Sequence, residues 1–413
     1  MLINIGFAKL LLPPGVIGQF ETFVLVSGMV SFFWVSGIIN SLVALYPKKS
    51  PGEQEDLIFN TFIALVLLSA VAAGGLLLFA DNLLAFLHKN EGNSTIRLAV
   101  FYVLFSTPAF IGEYVLFLHD RKKELLLYGI ACALLILAAA LVPVLLHLPV
   151  AYAMEGLVVF AMLKLAYTLV VIGRYGTFRF NAALLIQTLK FSLPLILSVF
   201  VSGSAEYIDG IIVKGKFDDM FFAIYRYGAK ELPILLVVAN TLSTGMIPAI
   251  SANLEDGLKE LKEKSGRLMH IFFPISIVLM LASPYLYLHV FNSSFIYSAL
   301  IFNIYLLLVI PRVLFPQTIL IGLHRPRFVL ISSIIEIIIN VSVSVYLADK
   351  VGLAGIAAGT FVAYTFDKLF LMAVAFWVFG ISPNRYVKLI PYLVYVTLLL
   401  VAFFAGLVLL QNI

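Results

Sequence analysis

Residues 125–146 read LLLYGIACALLILAAALVPVLL, a run of 22 residues with no charged side chain. A helix of this length rises about 33 Å, slightly more than the roughly 30 Å thickness of the hydrocarbon core of a bilayer. The rest of the chain has a similar character, because 62% of its 413 residues are hydrophobic and only 12% are charged. Soluble proteins carry about 25% charged residues. The sequence therefore predicts an all-α integral membrane protein and excludes a soluble globular enzyme and a disordered chain.

Eleven further apolar runs bring the predicted number of full-length membrane helices to twelve. The predicted spans cover residues 19–46, 57–79, 96–118, 125–146, 151–174, 189–213, 220–248, 268–290, 295–323, 329–347, 352–379 and 389–410. Ahead of them lies a stub, residues 1–12, which is ended by Pro13 and Pro14. Twelve residues of helix rise only about 18 Å, so the stub is too short to cross the bilayer alone. We interpret it as the remnant of a first helix whose beginning is missing, and we expect thirteen segments.

The basic residues of the loops predict the orientation of the chain in the membrane. If the stub starts in the cytoplasm, the cytoplasmic loops hold 16 Lys and Arg residues. The outer loops then hold only five, which are Lys89, Arg97, Lys214, Lys216 and Lys350. Loops rich in Lys and Arg stay in the cytoplasm, so we expect a cytoplasmic N-terminus and an external C-terminus. The same bias accounts for the net charge of +5, and no nucleic-acid partner is expected.

The spacing of two intramembrane lysines predicts two helical lobes. Lys164 and Lys368 lie at nearly equivalent depths of the fifth and eleventh full-length spans, 204 residues apart. With the stub, this spacing divides the chain into an N-terminal lobe at 1–180, a C-terminal lobe at 181–380 and an additional membrane helix at 381–413. Parallel repeats of this kind place a transporter's substrate site between the repeats.

No loop is long enough to form a soluble domain. The most strongly charged one, residues 251–267, contains the pattern LEDGLKELKEK and is predicted to be a cytoplasmic amphipathic helix with a solvated face.

Six short motifs, in order along the chain, resemble those of a known transporter family. They are GVIGQFETF at 15–23, GIINSLVALYP at 37–47, KFSLP at 190–194, YID at 207–209, YRYGAKELP at 225–233 and GLAGIAA at 352–358. The set resembles the polysaccharide and oligosaccharide flippases of the multidrug/oligosaccharidyl-lipid/polysaccharide exporter superfamily, and the resemblance covers nearly the whole chain.

The resemblance implies two bundles of six helices around a central cavity that opens alternately to each side of the membrane. It also implies export of undecaprenyl-diphosphate-linked oligosaccharide across the bacterial inner membrane, in O-antigen or capsule assembly. The expected partners are this substrate and membrane lipids, and we expect a monomer without a cofactor. The chain departs from the family in its clipped first helix, and in having one helix after the twelfth where many members have two.

Arg226 and Lys230 are the most informative charges within the predicted spans. An ionised side chain at the centre of a bilayer costs at least about 2.5–3.5 kcal/mol, so each one requires a function or a partner. The two residues are four positions apart, which predicts that they stack on one helix face beside an anion. A substrate diphosphate supplies that anion, because guanidinium groups pair with phosphate oxygens and lysine adds a point charge. The alternative is an internal ion-pair network with Glu206, Asp209 and Glu231.

Three single basic residues, Lys164, Arg312 and Lys368, complete the predicted substrate-binding set. Arg312 follows Pro311, which we expect to kink its helix and to open a wet cavity. Lys164 and Lys368 either line this cavity or extend to the headgroups, because long basic side chains can reach water from within a span. Neighbouring residues on a helix face different directions, so we expect the partner of Lys368 to be a residue other than Asp367.

Acidic residues within the spans are candidates for ion coupling, because intramembrane carboxylates commonly carry protons or bind cations. The coupling candidates are Asp209, Glu113 and Glu231, and the further acids in spans are Glu21, Glu155 and Glu336. Both Na⁺ and H⁺ stay open as the coupling ion, since no ligand cluster in the sequence identifies sodium. Each carboxylate could instead neutralise a basic neighbour.

Two alternatives to a flippase stay open. A multidrug cation antiporter of the same superfamily would favour an acidic cavity. The basic residues of the eighth and tenth helices, counted with the stub as the first, are evidence against it. A membrane-embedded glycan polymerase or acyltransferase usually needs a large external loop or a catalytic cluster of His, Asp or Arg. The six histidines are scattered, and the sequence contains no metal-binding or catalytic motif. We therefore expect a transporter and not an enzyme.

Overall fold

The computed structural model describes residues 2–87 and 94–412, and within these ranges every regular element is a helix. The prediction of an all-α membrane fold is confirmed. The chain divides into two compact units. The first extends to Tyr207 and includes Lys214–Met220, while the second contains Ile208–Val213 and the chain from Phe221 onward. Lys89, predicted in an outer loop, and the side chain of Glu206 lie outside the described part of the structure.

The helices of the first unit run from the N-terminus into the long tenth helix. They are α1 (Leu2–Lys9), α2 (Pro14–Met29), α3 (Phe32–Leu45), α4 (Pro51–Leu78), α5 (Ala80–Phe86), α6 (Ser94–Ala109), α7 (Ile111–Leu118), α8 (Lys122–Leu145), α9 (Ala151–Tyr175) and α10 (Ala182–Lys216). The later helices belong wholly or mainly to the second unit. They are α11 (Asp219–Gly228), α12 (Pro233–Ala252), α13 (Leu254–Leu286), α14 (Ile296–Leu306), α15 (Val309–Arg312), α16 (Pro316–Gly322), α17 (Pro326–Val351), α18 (Leu353–Trp377) and α19 (Leu389–Gln411).

The membrane spans number eleven in the described residues, or twelve when a bent pair counts as one span. The bent pair joins α2 to Phe32–Lys48 with a bend of 46°, and it takes the place of the first predicted span, 19–46. The predicted stub forms α1. α2 then begins with Pro14 at its first position, which suits proline because the amide there needs no partner within the helix.

Three predicted spans are interrupted where prolines fall in the sequence. α6 ends at Ala109, directly after a proline. The predicted span 220–248 is divided between α11 and α12, and the predicted span 295–323 is divided into α14, α15 and α16. α12 and α16 both begin with a proline. Proline lacks an N–H donor and clashes with the preceding turn, so it starts a helix readily and continues one poorly.

α13 joins a charged segment to a membrane span in one continuous helix. Residues 254–267, which belong to the segment 251–267 predicted as an amphipathic cytoplasmic helix, form its first half, and the apolar residues 268–286 form its second. The side chain of Asn253 caps the helix by accepting a hydrogen bond from Asp256 N at 3.3 Å. Leu258 and Leu261 point into the unit from the charged half and are almost completely buried.

Each unit has its own apolar core. In the first unit, Ile38, Leu42 and Ile111 are fully buried where α3, α4, α7 and α9 pack. In the second unit, Phe273 and Val313 are fully buried at the centre of a core formed by α12, α13, α15 and α19. Helices α10, α11, α14, α17 and α18 supply Asp209 and its hydrogen-bond donors, which are described next.

Candidate functional site

Asp209, on α10, is the most enclosed of the three predicted coupling residues. It is 4% exposed. The side chains of Glu231 and Glu113 are more open, with 15% and 33% of their surfaces exposed. A carboxylate at this depth needs hydrogen bonds, a counter-charge or a proton, because burial disfavours the ionised form.

Four neutral donors surround the Asp209 carboxylate. Oδ2 accepts hydrogen bonds from Tyr225 Oη at 2.9 Å, Tyr305 Oη at 2.6 Å and Thr360 Oγ1 at 2.6 Å. Oδ1 accepts a longer hydrogen bond from Asn340 Nδ2 at 3.4 Å. The donors lie on α11, α14, α18 and α17. Asp209 therefore connects four other helices of the second unit to α10.

The Asp209 site has the chemistry of a site for a small cation or a proton. None of the four side chains that donate to the carboxylate is charged. Asn340 Oδ1 is also buried, and in the described part of the chain it accepts no hydrogen bond. Carboxylate, amide and hydroxyl oxygens are the ligands that hard cations prefer. The cluster can accordingly hold a hard cation or take up a proton on the carboxylate.

Close packing of α17 against α18 brings Asn340 and Thr360 to this site. A Cβ at Gly359 would lie 2.1 Å from Ser344 Oγ, and a Cβ at Gly355 would lie 2.3 Å from a backbone oxygen of α17. Small residues allow membrane helices to approach this closely. At this separation Asn340 Nδ2 donates a hydrogen bond to Thr360 Oγ1 at 3.1 Å. Gly355 belongs to the motif GLAGIAA at 352–358, and Gly359 directly follows that motif.

A second polar cluster in the same unit begins with Arg312. Arg312 Nε and Nη2 donate to Glu231 Oε2 at 2.9 Å and Oε1 at 2.8 Å, which is a bidentate ion pair. Arg312 Nη1 donates to Tyr364 Oη at 2.6 Å, and the guanidinium carbon lies 4.1 Å from the centre of the Tyr364 ring. Bidentate arginine–carboxylate pairs are among the strongest hydrogen-bonded contacts in proteins. Arg312 is therefore firmly held in this conformation.

Lys368 also lies beside Tyr364, and it pairs with Asp367. Lys368 Nζ donates to Asp367 Oδ2 at 2.8 Å and lies 4.6 Å from the centre of the Tyr364 ring. Ser332 Oγ donates to the other oxygen of Asp367 at 2.5 Å. The expectation that Lys368 would pair with a different residue is wrong, because its long side chain reaches the carboxylate of its sequence neighbour. Both side chains are almost completely buried.

The charged residues around Tyr364 form one group, which we call the Tyr364 cluster. Its members are Glu231, Arg312, Glu336, Tyr364, Asp367 and Lys368. Glu336, on α17, belongs to it because its charged neighbours are Asp367, Lys368 and Arg312. The cluster thus combines two basic side chains with three carboxyl groups.

Arg226 and Lys230 do not share a helix face. Arg226 lies on α11, which ends at Gly228, and Lys230 lies in the break before α12. The prediction that they stack is wrong because the helix does not continue from one to the other. A Cβ at Gly228 would lie 2.4 Å from the carbonyl oxygen of Ser298, so the chain passes very close to α14 here. Leu232 then adopts an extended conformation, with φ −67° and ψ 112°, as is usual before a proline.

Lys164 lies in the first unit, together with Glu113. Lys164 Nζ is 3.9 Å from Glu113 Oε1 and 4.1 Å from the centre of the Phe110 ring. The ion pair is long, and the cation–π contact with Phe110 adds to it. Of the predicted substrate-binding residues, the structure brings Arg312 and Lys368 together at Tyr364 and places Lys164 in the other unit.

The sequence of the chain matches a described protein family over most of its length. The family model, described as "Polysaccharide biosynthesis protein", matches residues 9–300. The chain belongs to this polysaccharide biosynthesis family. The resemblance predicted from the six motifs is confirmed. No curated protein sequence matches the chain.

Several solved transporter structures have a fold similar to that of this chain. The lipid II flippase MurJ, in an inward closed conformation, has a TM-score of 0.68 and 15% identity, with 100% of this chain and 96% of MurJ covered. An inward-facing multidrug resistance MATE family transporter of the MOP superfamily has a TM-score of 0.62 and 13% identity, with 99% and 94% covered. A MOP superfamily transporter from Pyrococcus furiosus has a TM-score of 0.52 and 14% identity, with 99% and 91% covered. The family member is therefore a multi-pass membrane protein with a transporter fold.

Sequence reasoning identified the charged residues of both sites except Asp367, and it missed their neutral partners. Asp209 and Arg312 stand out because charges are rare in apolar runs. Tyr305 and Thr360 give no comparable signal, since single tyrosine and threonine residues occur throughout the spans. Asn340 follows three isoleucines, and an amide in such a run is the one neutral partner that the sequence could have indicated.

Proposed function

We propose that this protein flips undecaprenyl-diphosphate-linked oligosaccharide from the cytoplasmic to the external leaflet of a bacterial inner membrane by alternating access. The family match over residues 9–300 carries the proposal, because it joins polysaccharide biosynthesis to a chain with a transporter fold. A charged, hydroxylated headgroup cannot cross hydrocarbon unaided, since its polar groups would lose their water partners. Buried polar and charged side chains replace those partners, and no covalent bond forms or breaks.

The substrate diphosphate binds to intramembrane basic residues in this proposal. They are Arg312 and Lys368, which meet at Tyr364. In the described conformation Arg312 is held by Glu231, so its positive charge is not left unpaired in a low-dielectric environment. A phosphate presents two oxygens to a guanidinium in the way that a carboxylate does. The diphosphate therefore exchanges with Glu231 on Arg312 when the substrate enters.

Asp209 couples transport to Na⁺ or H⁺ in this proposal. Its carboxylate lies among neutral donors, so a bound cation or proton would remove an otherwise uncompensated charge. Thr360 of the Asp209 site and Tyr364 of the Tyr364 cluster are four residues apart on α18, and therefore lie on one face of that helix. A change in the charge of Asp209 can thus alter the position of Tyr364 and the contacts that Tyr364 makes with Arg312. Such a linkage makes ion binding and substrate binding mutually dependent.

One observation favours a second function, multidrug cation antiport. The Tyr364 cluster contains three carboxyl groups and two basic side chains, a balance that suits a cationic substrate better than an anionic one. The flippase proposal requires the carboxyl groups to serve as temporary partners of the basic residues. The two functions differ in the charge of the transported molecule.

Transport in proteoliposomes distinguishes the two functions. The purified protein is reconstituted with fluorescent undecaprenyl-diphosphate-oligosaccharide, with fluorescent undecaprenyl monophosphate, and with a fluorescent organic cation, each in the presence and absence of Na⁺ and of a pH gradient. A flippase moves the diphosphate-linked oligosaccharide and leaves the organic cation untransported. Movement of the cation alone would replace the flippase proposal by antiport, and movement of neither would contradict both.

A further inference from the structure

A groove on the second unit lies between α12 and α13. Its volume is about 470 Å³, which lies within the roughly 300–1,000 Å³ range of ligand pockets. Its walls are mainly apolar and include Val237, Gly245 and Leu268, while Lys264 and Arg267 lie on the α13 side. The groove shares no residue with the Asp209 site or the Tyr364 cluster.

The groove lies at the level where α13 changes character. Residues 254–267 of that helix are strongly charged, and residues 268–286 are almost entirely apolar. Lys264 and Arg267 are therefore the last basic residues before the membrane span, on the side that the loop charges predict to be cytoplasmic. A basic end and an apolar body at this depth match the two parts of a phospholipid.

Neighbouring charges leave the basic end of the groove positive. Lys264 Nζ pairs with Glu260 Oε1 at 2.6 Å and lies 3.6 Å from Met246 Sδ on the opposite wall. The carboxylate next to Arg267, Glu263, is paired with Lys388 at 2.7 Å. Both carboxylates have a lysine partner, so the positive charge of Arg267 is in excess, and its side chain is exposed.

We propose that this groove binds a phospholipid with an anionic headgroup from the cytoplasmic leaflet. One acyl chain lies along Val237, Gly245 and Leu268, and the phosphate binds Arg267 with support from Lys264. Basic pockets between membrane helices on the cytoplasmic side are the usual sites of anionic lipid headgroups. The groove shares no residue with the proposed substrate-binding set, and the inference does not depend on what the protein transports.

Two variants test the two halves of the site. Lys264→Gln with Arg267→Gln removes the charges that bind the headgroup. Gly245→Leu places a side chain in the groove, at a position where an added Cβ has no atom within 4 Å. Matched controls are Lys259→Gln with Arg325→Gln, which removes two exposed charges elsewhere, and Gly129→Leu, which adds the same side chain at another open glycine.

Binding of phosphatidylglycerol and phosphatidylethanolamine to the purified full-length protein is measured by native mass spectrometry. We expect the wild type and both controls to prefer phosphatidylglycerol. The charge variant should bind it roughly 30-fold more weakly, because it lacks two basic residues that each contribute about 1 kcal/mol near a membrane surface. Gly245→Leu should lower the number of tightly bound lipids by one while its melting temperature stays at or above that of the wild type.

Three results would overturn the proposal. The first is wild-type binding in both the charge variant and Gly245→Leu. The second is equal loss in the matched controls, which would indicate a general effect of charge or bulk. The third is displacement of bound phosphatidylglycerol by undecaprenyl phosphate at much lower concentration, which would assign the groove to the prenyl lipid instead.

Discussion

Two kinds of buried charge lie in the second unit. Asp209 is surrounded by hydroxyl and amide donors of no charge, whereas Arg312 is held by the opposite charge of Glu231. The two charges of an ion pair compensate each other in a low-dielectric environment. A carboxylate among neutral donors has no such compensation, so a bound proton or cation stabilises it. The two environments fit the two roles proposed above, ion binding at Asp209 and anion exchange at Arg312.

Asp209→Asn keeps the shape of the side chain and removes its charge, so transport should lose its response to the coupling ion. We expect the stimulation of flipping by Na⁺ or by a pH gradient to fall by roughly 5- to 150-fold, the range of a coupling free energy of about 1–3 kcal/mol. The measurement is the flipping rate in proteoliposomes over a series of Na⁺ concentrations and pH values. Tyr305→Phe removes one donor and keeps the carboxylate, so it should still respond. An unchanged response in Asp209→Asn would remove Asp209 from the coupling mechanism.

Glu231→Gln should destabilise the protein because it leaves Arg312 without its counter-charge. We expect a loss of about 3 kcal/mol in the free energy of unfolding, at the lower end of the range for buried ion pairs because both side chains keep some exposure. The double variant Glu231→Gln with Arg312→Gln should lose less than the single one, measured by denaturant unfolding in detergent.

The exposed pair of Arg174 and Glu124, 4.0 Å apart, is the matched control for this cycle. Glu124→Gln should change stability by at most about 0.5 kcal/mol, since exposed ion pairs contribute little. Additive effects of Glu231→Gln and Arg312→Gln would show that the two residues are not coupled.

At the scale of helices, breaks and close contacts position the polar groups. The break between α11 and α12 places Glu231 outside regular helix, and the short α15 places Arg312 opposite it. Broken helices are common at the binding sites of transporters, because they supply polar groups at membrane depth. The packing of α17 on α18 through Gly355 and Gly359 then fixes the Asp209 site.

Gly359→Ala should separate α17 from α18. The added Cβ would lie 2.1 Å from Ser344 Oγ and 2.8 Å from Ser344 Cα, so the backbone of α17 must move. Overpacking of this kind costs about 1–3 kcal/mol, which should appear as a lower melting temperature in detergent. Gly74→Ala, in α4, is the control, because no atom lies within 4 Å of the added Cβ and alanine favours the helix by up to about 1 kcal/mol. Equal melting temperatures of the two variants would contradict the tight contact.

For the whole molecule, the loop charges predict a cytoplasmic N-terminus and an external C-terminus. Cys132 is the single cysteine, so a background with Cys132→Ser allows labelling of introduced cysteines. In intact cells, a membrane-impermeant maleimide should label Lys350→Cys and spare Lys259→Cys until the cells are opened. Both positions are exposed, which makes the comparison direct. The reverse pattern would show that the orientation is wrong.

Membrane spans can be predicted from sequence because the thickness of the bilayer sets the length of an apolar run. The sequence does not predict where a helix breaks within a span when the break depends on a contact with a distant part of the chain. α11 ends at Gly228, which packs against Ser298, and no local pattern connects the two. For the same reason the sequence indicated Asp209 and not its donors, since Tyr305 and Thr360 are 96 and 151 residues away.

The most direct test of the central claim is the rate at which fluorescent undecaprenyl-diphosphate-oligosaccharide crosses the bilayer of proteoliposomes containing this protein. We predict that the wild type and Arg325→Gln, which removes an exposed arginine of the same unit, flip it at equal rates. Arg312→Gln should flip it roughly 10- to 150-fold more slowly, the loss expected for hydrogen bonds to a charged group. A wild type that does not flip this lipid under any ionic condition, or an Arg312→Gln variant as fast as the wild type, would contradict the claim.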